Sequence, residues 1–209
     1  MISGLVGAEF RRLEECEYDG QPARAVIAER TYPTDPDDLW DALTTADRIA
    51  RWFAPVTGDL RLGGRYQIKG NASGTITRCD PPQELDLTWE FGGGTSWVMV
   101  RLAARGSGTH LTLEHVAPIG IMEEHWETYG PSAVGTGWDL SLAGLGIHIG
   151  TGASIDHDEF EKWSTSDEGK IFVRQSTSAW AQAHRAAGGA PETADAMAER
   201  TAKFYTGAS

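Results

Sequence analysis

Glu84-Leu85-Asp86-Leu87-Thr88-Trp89-Glu90-Phe91 puts Leu85, Leu87, Trp89 and Phe91 on one side of an extended chain and three carboxylates on the other. Successive side chains of a strand point to opposite faces, so this alternation predicts a strand with one face in a core. The pattern recurs outward from there. Trp97 to Leu102 sets Val98, Val100 and Leu102 against Trp97, Met99 and Arg101. Thr109 to Val116 sets Leu111, Leu113 and His115 against Thr112 and Glu114. Upstream, Arg24 to Thr31, Gly64 to Lys69 and Ser73 to Cys79 are weaker strands. Gly70-Asn71, Asp80-Pro81-Pro82, Gly92-Gly93-Gly94 and Gly106-Ser107-Gly108 separate them with turn chemistry. Connections this short make consecutive strands antiparallel neighbours, and one apolar face per strand predicts a six-stranded sheet covered on one side.

Helices flank the strands. Asp35-Pro36-Asp37-Asp38 supplies a cap, a proline for the first helical position and acids for the positive end of the dipole. Val134, Trp138, Leu142, Leu145 and Ile149 recur at intervals of four, four, three and four, one stripe of a long amphipathic helix that is expected to be buried. Glycines 135, 137, 144 and 146 each cost that helix about 1 kcal/mol against alanine, which close approach to a curved sheet would offset. The last sixty residues predict two or three more helices. The class is α+β: a curved antiparallel sheet around one long helix, leaving a cavity between them. The expected organisation is an N-terminal segment over 1–22, the main domain over 23–150, and a helical extension over 151–209 packed on it.

Composition narrows the function. A formal charge of −12 over 209 residues, with no basic stripe, argues against nucleic acid or an anionic membrane as partner. Cys16 and Cys79 are not a disulfide framework, and Met1 to Ala8 is too short for a leader core. Ser132 to Ile155 is weakly polar but interrupted by Trp138-Asp139 and His148, unlike the about 20 apolar residues of a membrane span. A cytoplasmic protein is expected.

Several motifs in fixed order resemble one family. They are Asp35-Pro36-Asp37-Asp38-Leu39-Trp40, Arg51-Trp52-Phe53-Ala54-Pro55, Gly58 to Tyr66, Gly74-Thr75-Ile76, Thr88-Trp89-Glu90, Gly108 to His115 and Gly137-Trp138-Asp139. Together they resemble the SRPBCC (START-like, helix-grip) superfamily, in the branch named after the activator of a heat-shock-protein ATPase, over roughly residues 24 to 150. The resemblance implies a helix-grip fold with a tunnel between sheet and long helix. It carries no catalytic signature to transfer, and fold alone does not license function.

His115 shares a strand face with Leu111 and Leu113 and is expected inside, as a ligand contact, a weak catalytic candidate, or a core histidine bonded to a neighbour. Trp40, Trp52, Phe53, Tyr66, Trp89, Phe91 and Trp138 are the candidate aromatic lining of a binding site, or plain core. Trp52-Phe53 is placed at a tunnel mouth. Glu123, Glu124, His125 and Glu127 are read as a loop; His125-Trp126-Glu127 lacks the following Pro-Cys-x-x-Cys of a zinc deaminase. Asp156-His157-Asp158-Glu159 starts like a calcium loop but puts Phe160 at the next ligand position. No nucleophile elbow or phosphate loop is present. No metal site and no cofactor are expected.

Three functions compete. The first is a module binding a small apolar or amphipathic molecule. The second is a cyclase, dehydratase or hydrolase using His115, which would need a second polar group within hydrogen-bond reach. The third is a chaperone-interacting domain whose contact surface is the strand face carrying Trp97, Met99 and Arg101 or Thr112 and Glu114; Trp97 and Met99, if exposed, could equally mark a homodimer surface.

Overall fold

The computed structural model of the chain describes residues 7–155 and 157–207. Most of the Met1 to Ala8 segment and Asp156 lie outside the described residues, and the His157-Asp158-Glu159 stretch that follows opens a helix.

The strands are β1 (Phe10–Tyr18), β2 (Gln21–Tyr32), β3 (Val56–Gly58), β4 (Arg65–Ile68), β5 (Ser73–Asp80), β6 (Glu84–Phe91), β7 (Gly94–Arg105) and β8 (Gly108–Pro118). They form one antiparallel sheet in the order β1-β2-β8-β7-β6-β5-β4-β3. Eight strands replace the expected six. β3 is three residues long, too short for a pattern, and β1 is an edge strand whose arginines and glutamates hide its alternation. Charged edges of this kind block pairing with further chains. Leu13 of β1 still joins the main core, and Cys16 and Tyr18 point to the opposite face.

The helices are α1 (Pro36–Thr44), α2 (Ala46–Trp52), α3 (Glu123–Tyr129), α4 (Pro131–Thr151), α5 (His157–Thr165), α6 (Asp167–Ala186) and α7 (Pro191–Thr206). Asp35 caps α1 by accepting from the Asp38 amide at 2.9 Å, with Pro36 in its first turn, as the sequence predicts. The segment read as a loop at Glu123 is helix α3 instead. Glu123 takes both guanidinium nitrogens of Arg24 on β2 at 3.0 and 3.1 Å, and Arg24 lies 4.5 Å over the Trp126 ring. Gly130, at φ 57°, breaks the chain between α3 and α4.

The sheet curves around a core that includes Val26, Val98, Val100, Leu111 and Leu113 from the strands and Leu142 and Leu145 from α4. The opposite face carries ion pairs, among them Arg12–Glu29 and Arg101–Asp86, around a small apolar strip of Ala23, Ala25, Ile27 and Val116. Helix α4 departs from expectation. It carries buried residues around most of its circumference rather than along one stripe, because β2, α2, α6 and α7 all pack on it. Its glycines serve helix contacts more than the sheet. A Cβ on Gly135 would fall 2.1 Å from the Trp180 indole of α6, and one on Gly144 would fall 2.7 Å from the Trp52 carbonyl at the end of α2.

Asp139 explains the polar flank of α4. The fully buried carboxylate accepts from the Ala8 amide at 2.8 Å, Arg11 Nε at 3.0 Å, Trp180 Nε1 at 3.1 Å and the Ser176 hydroxyl, and pairs with the Arg11 charge at 2.9 Å. One side chain thus ties the N-terminal strand and α6 to the central helix. Buried charge of this kind persists only when paired and hydrogen-bonded.

Candidate functional site

A hollow of about 420 Å³ lies between the sheet and α4. β6 contributes Trp89 and Phe91, β7 Gly94, Thr95 and Ser96, and β8 His115 and Ala117. Ala133, Val134, Gly137, Trp138 and Ser141 of α4 face them. Phe53 follows α2, and Asn71 comes from the β4–β5 turn. Ile121, Met122, His125 and Trp126, together with Phe204 and Tyr205 of α7, complete the lining. No Asp, Glu, Lys or Arg is among these residues, although such residues make up 23% of the chain.

The structure gathers part of the aromatic set named from sequence. Phe53, Trp89, Phe91, His115 and Trp138 line the hollow, with Trp89 and Trp138 ring centroids 5.3 Å apart and Phe53 6.5 Å from Trp138. Trp40, Trp52 and Tyr66 are outside this lining. Trp52 is buried with Nε1 donating to the Ala42 carbonyl at 2.9 Å, Tyr66 donates to the Thr88 carbonyl at 2.7 Å, and Trp40 packs against the core. Sequence reasoning missed the contributions of α3, the Ile121-Met122 turn and α7. The exposed apolar pair after Gly120 was the available signal; Phe204 had none, because it is off the buried face of α7.

His115 sits at the centre of a relay. Trp138 Nε1 donates to its Nδ1 at 3.0 Å, and its Nε2 lies 2.8 Å from Ser96 Oγ. An indole nitrogen only donates, so Nδ1 carries the lone pair and Nε2 carries the proton. The hydroxyl of Ser96 therefore accepts from His115 and donates to the Trp89 carbonyl at 3.2 Å. Burial pushes the imidazole from its ordinary 6.5 down to about 4, so it is neutral at pH 7. A serine nucleophile needs the Nε2 lone pair as its base. Trp138 denies it that lone pair, so the Ser96–His115 pair is a hydrogen-bonded support rather than a catalytic dyad.

On the opposite face, Tyr18 of β1 packs at 4.5 Å on Trp97, and Met99 packs against the apolar strip. Trp97 and Met99 are half-buried by their own chain. Among the described residues no three His, Cys, Asp or Glu side chains form a metal-binding group, and no helix is long and apolar enough to cross a membrane.

The sheet gripping a central helix defines the helix-grip class. Residues 33–150 match the family model described as activator of Hsp90 ATPase homolog 1-like protein, and the chain belongs to that family. It is similar to CalU16 from Micromonospora echinospora. The crystal structure of that protein shares 33% identity over 84% of this chain and 98% of that chain, with a TM-score of 0.67. Its solution structure shares 28% identity over 95% and 93%, with a TM-score of 0.64. DynU16, from the dynemicin biosynthetic locus, shares the fold at 20% identity over 62% and 48%, with a TM-score of 0.56. No protein of curated function matches the sequence.

Proposed function

We propose that the protein binds a small apolar or amphipathic molecule in the hollow between sheet and α4. One observation carries this reading: a space of about 420 Å³ lined by aromatic and aliphatic side chains, with no charged residue, in a chain of net charge −12. Sites for small organic ligands fall in this size range and have this mixture of apolar walls with few polar groups. The neutral, doubly bonded state of His115 favours binding over acid–base chemistry. A chaperone contact or homodimer through the convex face has less support, since Trp97 packs on Tyr18 of β1 and Met99 on the apolar strip of β2 and β8. The free cysteines Cys16 and Cys79 suit a cytoplasmic setting.

The test is native mass spectrometry for a retained ligand, followed by titration of delipidated protein with the neutral dye N-phenyl-1-naphthylamine. Dye fluorescence should rise saturably, and Ala117→Trp, which puts an indole into the hollow, should abolish the rise. Thr112→Trp on the convex face should not. Absence of both retained ligand and saturable dye binding would remove the proposal.

A further inference from the structure

The polar atoms around the hollow divide into two groups. Those of Ser96, His115, Trp138, Ser141 and Tyr205 are spent inside the protein: Ser141 donates to the Gly137 carbonyl at 2.9 Å and Tyr205 to the Ala133 carbonyl at 2.9 Å. Trp89 Nε1, Trp126 Nε1, Asn71 Nδ2, the Thr95 hydroxyl and the His125 ring form no hydrogen bond among the described residues. Of these, the two indoles and the carboxamide nitrogen can only donate. An occupant that left them desolvated and unpaired would forfeit about 1–3 kcal/mol for each. An occupant with an ionised group would meet no counter-charge in the lining, at a cost that rises steeply as water is excluded.

We propose, resting on the reading of the hollow as a binding site, that its ligand is an uncharged ring compound bearing hydrogen-bond-accepting oxygens of ketone type. The indole N–H groups of Trp89 and Trp126 meet those oxygens. Aromatic walls from Phe53, Trp89 and Trp138 fit the flat part of such a molecule by offset and edge contacts. Trp126 is held for this purpose by Arg24 across one ring face, which keeps it in place without putting a charge into the lining. Acids and amines of the same shape are excluded.

The experiment displaces bound N-phenyl-1-naphthylamine with three compounds of one skeleton: 2-acetylnaphthalene, 2-ethylnaphthalene and 2-naphthoate. The ketone should displace the dye at about threefold to tenfold lower concentration than the hydrocarbon, the range of one net hydrogen bond. The carboxylate should need at least about tenfold more than the ketone. Trp89→Phe, and separately Trp126→Phe, should erase the ketone's advantage while leaving ethylnaphthalene within about twofold, the change expected when a donor is lost and the apolar wall kept. Equal displacement by ketone and hydrocarbon, or an advantage that survives in both variants, overturns the assignment of acceptors. Tightest displacement by the carboxylate overturns the uncharged class. Failure of the dye itself to bind overturns the binding site, a separate result from the other two.

Discussion

Trp138 Nε1 and His115 Nδ1 are 3.0 Å apart, and this one bond between the long helix and strand β8 decides which ring nitrogen holds the proton. Protonating the imidazole would turn Nδ1 into a second donor facing the indole donor. The bond would become a repulsion, in a place where burial already disfavours the charge. That is a structural reason for the depressed titration of His115, and it makes helix docking sensitive to acid.

Stability should therefore fall on acidification in a defined window. The unfolded imidazole titrates near 6.5 and the folded one near 4. Between these values the unfolded chain holds the extra proton, so this contribution is fully present above 6.5 and lost as pH falls toward 4. The loss is at most about 3 kcal/mol. Burial lowers His125 and His184 as well, with the same sign. His115→Gln can accept from Trp138 and donate to Ser96 without titrating. Urea unfolding at a series of pH values should give a flatter profile for His115→Gln than for the parent. Parallel profiles would refute the role of this bond.

Asp139→Asn should cost about 3–5 kcal/mol, since it leaves the Arg11 guanidinium, whose side chain is 8% exposed, without its counter-charge. Ser176→Ala removes one of several donors to the same carboxylate and should cost about 1 kcal/mol. Chemical denaturation measures both. If the two variants lose equal stability, the carboxylate charge is not what joins β1, α4 and α6.

Arg24 joins β2 to α3 through Glu123 and Trp126. Arg24→Ala should lower hydrogen-exchange protection over Glu123–Tyr129 and leave Gly108–Pro118 unchanged. Unchanged protection of α3 would show that its packing against α7, where Tyr129 and Phe204 rings are 5.5 Å apart, suffices to hold it.

The sheet centre was legible because β6, β7 and β8 have one wet face and one dry face, which period two reports directly. β1 was not, since Arg11 and Leu13 share its inner face and Asp139, the partner that makes Arg11 an inner residue, is 128 positions away. Its turn was readable in hindsight: Asp19-Gly20, at φ 50° and 74°, is the hairpin dipeptide that favours left-handed backbone at both positions. In the site, His115 and Trp89 followed from strand parity. Trp126 and Phe204 did not, because helices beyond the strands bring them to the hollow by tertiary packing, which local pattern does not encode. Trp52 and Tyr66 were aromatic and inward, but parity cannot separate a core position from a cavity wall.

The glycines of α4 offer a matched pair that tests why the helix tolerates them. At Gly135 the obstacle to a side chain is the ring of Trp180, itself fully buried and fixed by its bond to Asp139. Neither partner can yield without disturbing the carboxylate hub, so Gly135→Ala should destabilise by about 1–3 kcal/mol through overpacking. Gly150 lies near the end of the same helix with open space where its Cβ would go. There the substitution meets nothing and removes freedom from the unfolded chain, so Gly150→Ala should stabilise by about 0.5–1 kcal/mol. Thermal unfolding of the two variants should move in opposite directions from the parent. A loss of similar size at both positions would mean that the glycines answer a need of the helix itself, such as bending, rather than the approach of α6.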